Sequence, residues 1–179
     1  MPTYRLLQAR TPGDPVRDEE RGSFAARLGV PVSDVLPYDC LSRRTDAREV
    51  ADGVDAVLVG GSGKFSIFDP EPWLPAFIDA LGALADDQVP MFASCFGFQG
   101  LVMALGGRVE RDEDNAEVGT YALDVTGASA DDPVFRGMPA RFNAQLGHKD
   151  RATVLPEACV LLASSPRCPY QAFRVGTNV

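Results

Sequence analysis

Apolar residues along this chain switch between a strand-like and a helix-like period, and the switches divide it into elements. Tyr4 to Ala9 reads as a first strand, Thr11 to Pro15 as a Pro/Gly loop, and Phe24 with Leu28 as one face of a short helix stopped by Gly29. A second strand is placed near Val35. Asp55-Ala-Val-Leu-Val59 is apolar and valine-rich after its first residue. It then breaks into Gly60-Gly61-Ser62-Gly63, the pattern of a strand buried on both faces that feeds a loop. Asp69-Pro70 reads as a helix start, and Trp73, Phe77, Leu81 and Leu84 follow at helical spacing as far as Ala85. Val89 to Ala93 returns to strand. From Phe96 onward Leu101, Val102 and Leu105 restore the helical period until Gly106-Gly107.

This alternation predicts an α/β fold: a three-layer domain with a central, mainly parallel sheet, whose ligands bind beyond the carboxyl ends of the strands. Gly60-Gly61 and Cys95 both fall at such ends. The second half changes character, with Val118 to Val125, Arg141 to Gln145, Val160 to Ala163 and Gln171 to Val175 reading as strands without long helices between them. No repeat, linker or low-complexity tract interrupts the 179 residues, which are taken as a single domain.

Composition narrows the function classes. Hydrophobic residues make up 45% and charged residues 23%, as in ordinary globular proteins, and no apolar run approaches the roughly 18 residues of a membrane span. A formal charge of −8 without a basic cluster argues against nucleic acid as a partner. The opening Met-Pro-Thr-Tyr-Arg does not read as a signal peptide, so a cytoplasmic protein without a membrane partner is expected. Cys40, Cys95, Cys159 and Cys168 are widely spaced and only His148 could assist them, so neither a zinc site nor a disulfide framework is expected, and no cofactor. The charge runs Asp18 to Arg21 and Asp112 to Asp114 read as solvated surface.

Candidate chemistry centres on Phe92-Ala-Ser-Cys95-Phe-Gly-Phe-Gln99. A cysteine there is either packed in a core, as free cysteines commonly are, or a nucleophile on a sharp strand-to-helix turn. In the second case small neighbours at Ala93 and Gly97 relieve crowding in the turn, and the following helix points its N-terminus at the sulfur and favours the thiolate. The glycine loop at residues 60–63 lies at another strand end, where backbone N–H groups can turn toward a developing oxyanion. The pair of features favours the nucleophile.

Together these residues resemble the class I glutamine amidotransferases, in particular stand-alone proteins similar to the amidotransferase domain of GMP synthase. The family's Gly-x-Cys-x-Gly-x-Gln motif is matched by Ala93-Ser94-Cys95-Phe96-Gly97-Phe98-Gln99, and its Gly-Gly-Pro loop by Gly60-Gly61-Ser62. Glu117-Val118-Gly119, Gly147-His148-Lys149-Asp150 and Leu162 to Phe173 are similar to further segments of the group.

The resemblance implies a flavodoxin-like fold and a glutaminase half-reaction. Cys95 would attack the glutamine carboxamide, Gly61 and Phe96 would form the oxyanion hole, and Gln99 and His148 would line the substrate pocket. Glutamine would be the substrate, and a partner synthetase would receive the ammonia. Ala93 departs from the family's first glycine and Ser62 from its proline. The family's catalytic His and Glu lie in a Phe-His-Pro-Glu-like segment that is expected after the last strand, and His148 does not occupy that position. The strand Gln171 to Val175, a turn at residues 176–178 and Val179 read as a hairpin with one arm, so the domain is expected to lack its C-terminal segment here. The alternatives are a catalytically inactive glutamine-binding or regulatory relative and a γ-glutamyl hydrolase.

Overall fold

The structure, a computed structural model, describes residues 1–179. Its first half builds β1 (Tyr4–Gln8), α1 (Val16–Leu28), β2 (Val35–Asp39), α2 (Ala47–Ala51), β3 (Ala56–Val59), α3 (Leu74–Asp86), β4 (Met91–Ala93) and α4 (Phe96–Ala104). The four strands form one parallel sheet in the order β2-β1-β3-β4. Their alternation sorts side chains between two faces. Leu6, Val35 and Leu58 pack with Ala25 of α1, whereas Leu7, Val57 and Val59 join Phe77, Leu81 and Leu84 of α3 and Leu101 and Val102 of α4. Because every strand runs the same way, the chain leaves β1, β3 and β4 on one edge of the sheet. Arg10, Gly60-Gly61 and Cys95 are gathered there.

The second half does not extend this parallel sheet. It comprises β5 (Arg108–Arg111), β6 (Glu117–Val125), β7 (Arg141–His148), β8 (Asp150–Val154), β9 (Cys159–Ser164) and β10 (Ala172–Val175). These strands make a separate antiparallel sheet, β10-β9-β6-β7, and an antiparallel pair, β5-β8. With no helical crossovers between them, consecutive strands can only return antiparallel. Strand β7 buries Phe142, Ala144, Leu146 and His148 more than the residues between them, so one of its faces looks inward.

Several boundaries also differ from the sequence reading. The long helix begins at Leu74, because the Asp69 side chain instead accepts the Ser66 N–H (2.8 Å) and closes a turn. Helix α2 has the Asp46 side chain accepting the N–H groups of Arg48 and Glu49, an N-cap that the Asp-x-x-Glu pattern at residues 46–49 signals. The final residues do not return along β10 alone. Asn178 O accepts the Met91 N–H (2.9 Å) while Val179 O accepts that of Val175 (2.8 Å), so the turn closes beside β4.

Helix α4 approaches β3 at Gly97. A Cβ there would lie 2.6 Å from Val59 Cγ1 and 3.1 Å from Val59 O, so only glycine fits. Gly97→Ala is expected to cost about 1–3 kcal/mol by overpacking. Gly22→Ala, inside α1 with nothing within 4 Å of the added methyl, is expected to stabilise by up to about 1 kcal/mol. Urea midpoints of the two variants check the pair, and a Gly97→Ala protein as stable as the wild type would contradict the packing account.

Candidate active site

Cys95 stands between β4 and α4 with φ 50° and ψ −102°, a backbone conformation that L residues rarely adopt. The strain is held from both sides. Gly97 N–H donates to Ser94 O (2.9 Å) and to Gly60 O (3.2 Å), and Ser94 N–H donates to Val59 O (2.9 Å). Behind the turn, Phe96 is 2% exposed and its ring lies 5.5 Å from that of Phe77 and 6.0 Å from that of Trp73. These bonds tie the cysteine turn directly to the glycine loop. An ideal Cβ on Gly61 would lie 3.7 Å from Cys95 Cβ. The need for glycine at position 97 therefore comes from the neighbouring strand rather than from crowding within the turn.

Cys95 is exposed, whereas Cys40 and Cys168 are buried and Cys159 is half-buried. The surroundings of the sulfur act in both directions, the helix N–H favouring the thiolate as expected. The protein atoms around the sulfur push its pKa up, the Phe96 N–H and the Arg10 guanidinium pull it down, and the carboxylates of Asp150 and Glu20 push it up again. The net direction is up. Burial drives Cys40 further, to about 12.

Cys95 lines a cavity of about 520 Å³ between β4, the start of α4 and the inward face of β7. Gln99 and His148 line the same cavity, as do the apolar side chains of Phe98, Phe142, Leu146 and Phe173. Gln99 is 7% exposed, and its amide donates to Asp150 O (2.8 Å), which ties α4 to β8. The Asp150 carboxylate accepts from Ser66 Oγ (2.7 Å) and Arg111 Nε (2.9 Å), linking the loop after Gly61 to β5 and β8. Desolvation raises the Asp150 pKa, but Arg111 and Ser66 outweigh it and hold the group below the usual carboxylate range.

His148 faces Glu117, its register partner across β6 and β7, with Nε2 3.3 Å from Oε2 but off the line of a hydrogen bond. The fully buried Glu117 carboxylate accepts instead from Ser165 Oγ (2.7 Å) and Gln171 Nε2 (2.5 Å). Cys168 brings its sulfur into the same group, with ligand atoms of Glu117, His148 and Cys168 within 4.8 Å of one another. Sequence spacing could not show this convergence, because it depends on strand register.

Another correction concerns the acidic run at the start of α1. Glu20 has a side chain only 10% exposed, is paired with Arg10 at 3.0 Å, and accepts the Gly61 N–H at 3.0 Å. Asp112, read as surface, holds Arg151 Nε at 2.9 Å.

A strained cysteine between a strand and a helix, a glycine loop against it, and a parallel sheet that presents both define a class. The model of the glutamine amidotransferase class-I family matches residues 25–178, and the chain belongs to that family. It is 31% identical over 159 residues to a glutamine-hydrolysing GMP synthase of Thermosipho africanus, covering 88% of this chain and 26% of that protein. With the GMP synthase of Thermomicrobium roseum it shares 32% identity over 140 residues, 78% of this chain and 24% of the relative. The chain thus spans about a quarter of the length of these curated relatives. A glutamine amidotransferase from Thermotoga maritima, 19% identical, shares the fold with a TM-score of 0.75 over 99% of this chain and 73% of that one. No helix is long and apolar enough to cross a membrane.

Alkylation by iodoacetamide followed by peptide mapping should label Cys95 before the other three thiols. Its rate should keep rising with pH beyond the ordinary thiol value of 9.0, because thiolate forms only as pH passes the raised pKa. Arg10→Gln removes the attracting cation and should move the midpoint up, and Asp150→Asn removes a repelling anion and should move it down. Opposite shifts would contradict the charge balance described.

Proposed function

We propose that this chain is a glutaminase unit, hydrolysing the side-chain amide of glutamine through a Cys95 thioester and supplying ammonia to a partner synthetase. The observation that carries the reading is the forced turn at Cys95, which lines the cavity and has Gly61 against it. The Cys95 thiolate adds to the carboxamide carbon, and the carbonyl oxygen takes the negative charge. The leaving nitrogen gains a proton and departs as ammonia, and water then cleaves the γ-glutamyl thioester to release glutamate. Phe96 N–H and Gly61 N–H are the oxyanion donors of this scheme, with Gln99 and His148 in the substrate wall. That the matched relatives are named as glutamine-hydrolysing GMP synthases supports the substrate.

The raised thiol pKa makes a proton acceptor important, since at neutral pH the proton must be removed during attack. The only histidine among these residues, His148, sits against Glu117.

Glutamate release from glutamine and from γ-glutamyl amides tests the proposal. Glutamine should be preferred, and Cys95→Ala should abolish release. Preference for γ-glutamyl amides would favour a γ-glutamyl hydrolase. Glutamine binding without release would favour a regulatory subunit.

A further inference from the structure

Arg10, just beyond β1, and Glu20, in α1, form an ion pair whose side chains are 9% and 10% exposed. The Glu20 carboxylate is gripped from several directions. Oε1 accepts from Arg10 Nη2 (3.0 Å), and Oε2 accepts from Arg10 Nε (3.2 Å) and Gln8 Nε2 (3.0 Å). Gln8 is itself fixed by donating to Arg17 O (2.9 Å). So held, the carboxylate lies flat on the glycine loop. A Cβ on Gly60 would fall on the carboxylate itself, and Oε1 takes the Gly61 N–H at 3.0 Å. That loop touches Cys95, with 3.7 Å between the ideal Gly61 Cβ and Cys95 Cβ.

From this geometry we infer that Glu20 is a positioning residue that latches the Gly61 N–H away from the reacting carbonyl, so that acyl transfer to Cys95 requires the Gly60–Gly61 peptide to be released from Glu20. The inference rests on the proposed role of Cys95 as acyl acceptor. One N–H cannot serve two anions well. A carboxylate already on that donor occupies the place of a developing oxyanion and repels its charge. The latch can open without stranding a buried charge, because Arg10 and Gln8 keep the carboxylate satisfied after Gly61 leaves. Turning the peptide also frees Gly60 O from the Gly97 N–H (3.2 Å), which keeps its bond to Ser94 O (2.9 Å), and glycine at positions 60 and 61 tolerates the new backbone angles. The first oxyanion donor, at Phe96, belongs to the helix and needs no such release.

Two reagents that meet the same sulfur separate this role from a general effect on the thiol. With p-nitrophenyl acetate the thiolate adds to the ester carbonyl, an oxyanion forms and collapses, p-nitrophenolate leaves and Cys95 becomes S-acetylated. With iodoacetamide the sulfur displaces iodide and no oxyanion forms. The ratio of the two rates, each taken at the pH plateau of the variant and mapped to Cys95, reports stabilisation of the oxyanion apart from the reactivity of the thiolate. Losing one such donor typically costs about 10²–10³-fold, so Glu20→Ala should raise the ratio at least about tenfold. Glu20→Gln keeps the shape and a neutral acceptor and should raise it less. Circular dichroism verifies that both variants are folded, and the isosteric Gln variant carries the test if the Ala variant is not. An unchanged or lower ratio in the folded variants, or no acetylation of Cys95 in any of them, overturns the latch. Glutamine does not enter the ratio. A raised ratio in a protein that never hydrolyses glutamine would therefore uphold the latch while refuting the proposed substrate.

Discussion

The contact between Gly97 and Val59 is the constraint on which the site depends. Helix α4 presses onto β3 so closely that a methyl group at position 97 would overlap the valine side chain. The same approach lets the Gly97 N–H reach Gly60 O at 3.2 Å. The chain leaving β4 must therefore enter the helix within two residues, Ser94 and Cys95, and Cys95 absorbs the turn at φ 50°. The aromatic rings of Phe96, Trp73 and Phe77 close off the alternative of unwinding the first helical turn, because that would expose packed rings. Cysteine and glycine loop are consequently one mechanical unit.

The charges around this unit oppose one another. Arg10 and the helix N–H draw toward the thiolate, while desolvation and the carboxylates of Asp150 and Glu20 disfavour it. The result is a protonated resting thiol rather than a permanently activated one. On the proposed reading, such a thiol reacts when a proton acceptor and an oxyanion donor are both in place. Asp150 and Glu20 also have structural duties, the first joining the loop after Gly61 to β5 and β8, the second holding Gly61 itself. Charge balance and loop position are thus set by the same side chains.

Much of this was legible in the sequence where the signal is local. The Val57–Val59 run ending in glycines and the apolar stretch ending in Ala-Ser-Cys-Phe-Gly marked two strand ends, because short valine-rich runs followed by glycine have few other solutions. The helix start failed at Asp69, where a side-chain turn competed with the helix, and α2 was missed although its Asp46 cap was readable. Glu20 reads as solvent-facing among Asp18, Glu19 and Arg21, and only the packing of α1 over the sheet edge reveals that one of these acids is turned inward. The meeting of Glu117 with His148 required the register of β6 on β7, a long-range property without a local pattern. Gln99 was read as a substrate ligand, and its amide is engaged by Asp150 of β8, a strand that the pattern did not indicate.

The central claim, that the forced turn makes Cys95 the acyl acceptor, is tested most directly by trapping the covalent intermediate. Protein mixed with glutamine is quenched in acid, where thioesters persist, and its peptides are weighed by mass spectrometry. The account predicts a γ-glutamyl adduct on the peptide that contains Cys95, lost in Cys95→Ala. An adduct on Cys40, Cys159 or Cys168, or glutamate formed by the Cys95→Ala protein, would contradict it.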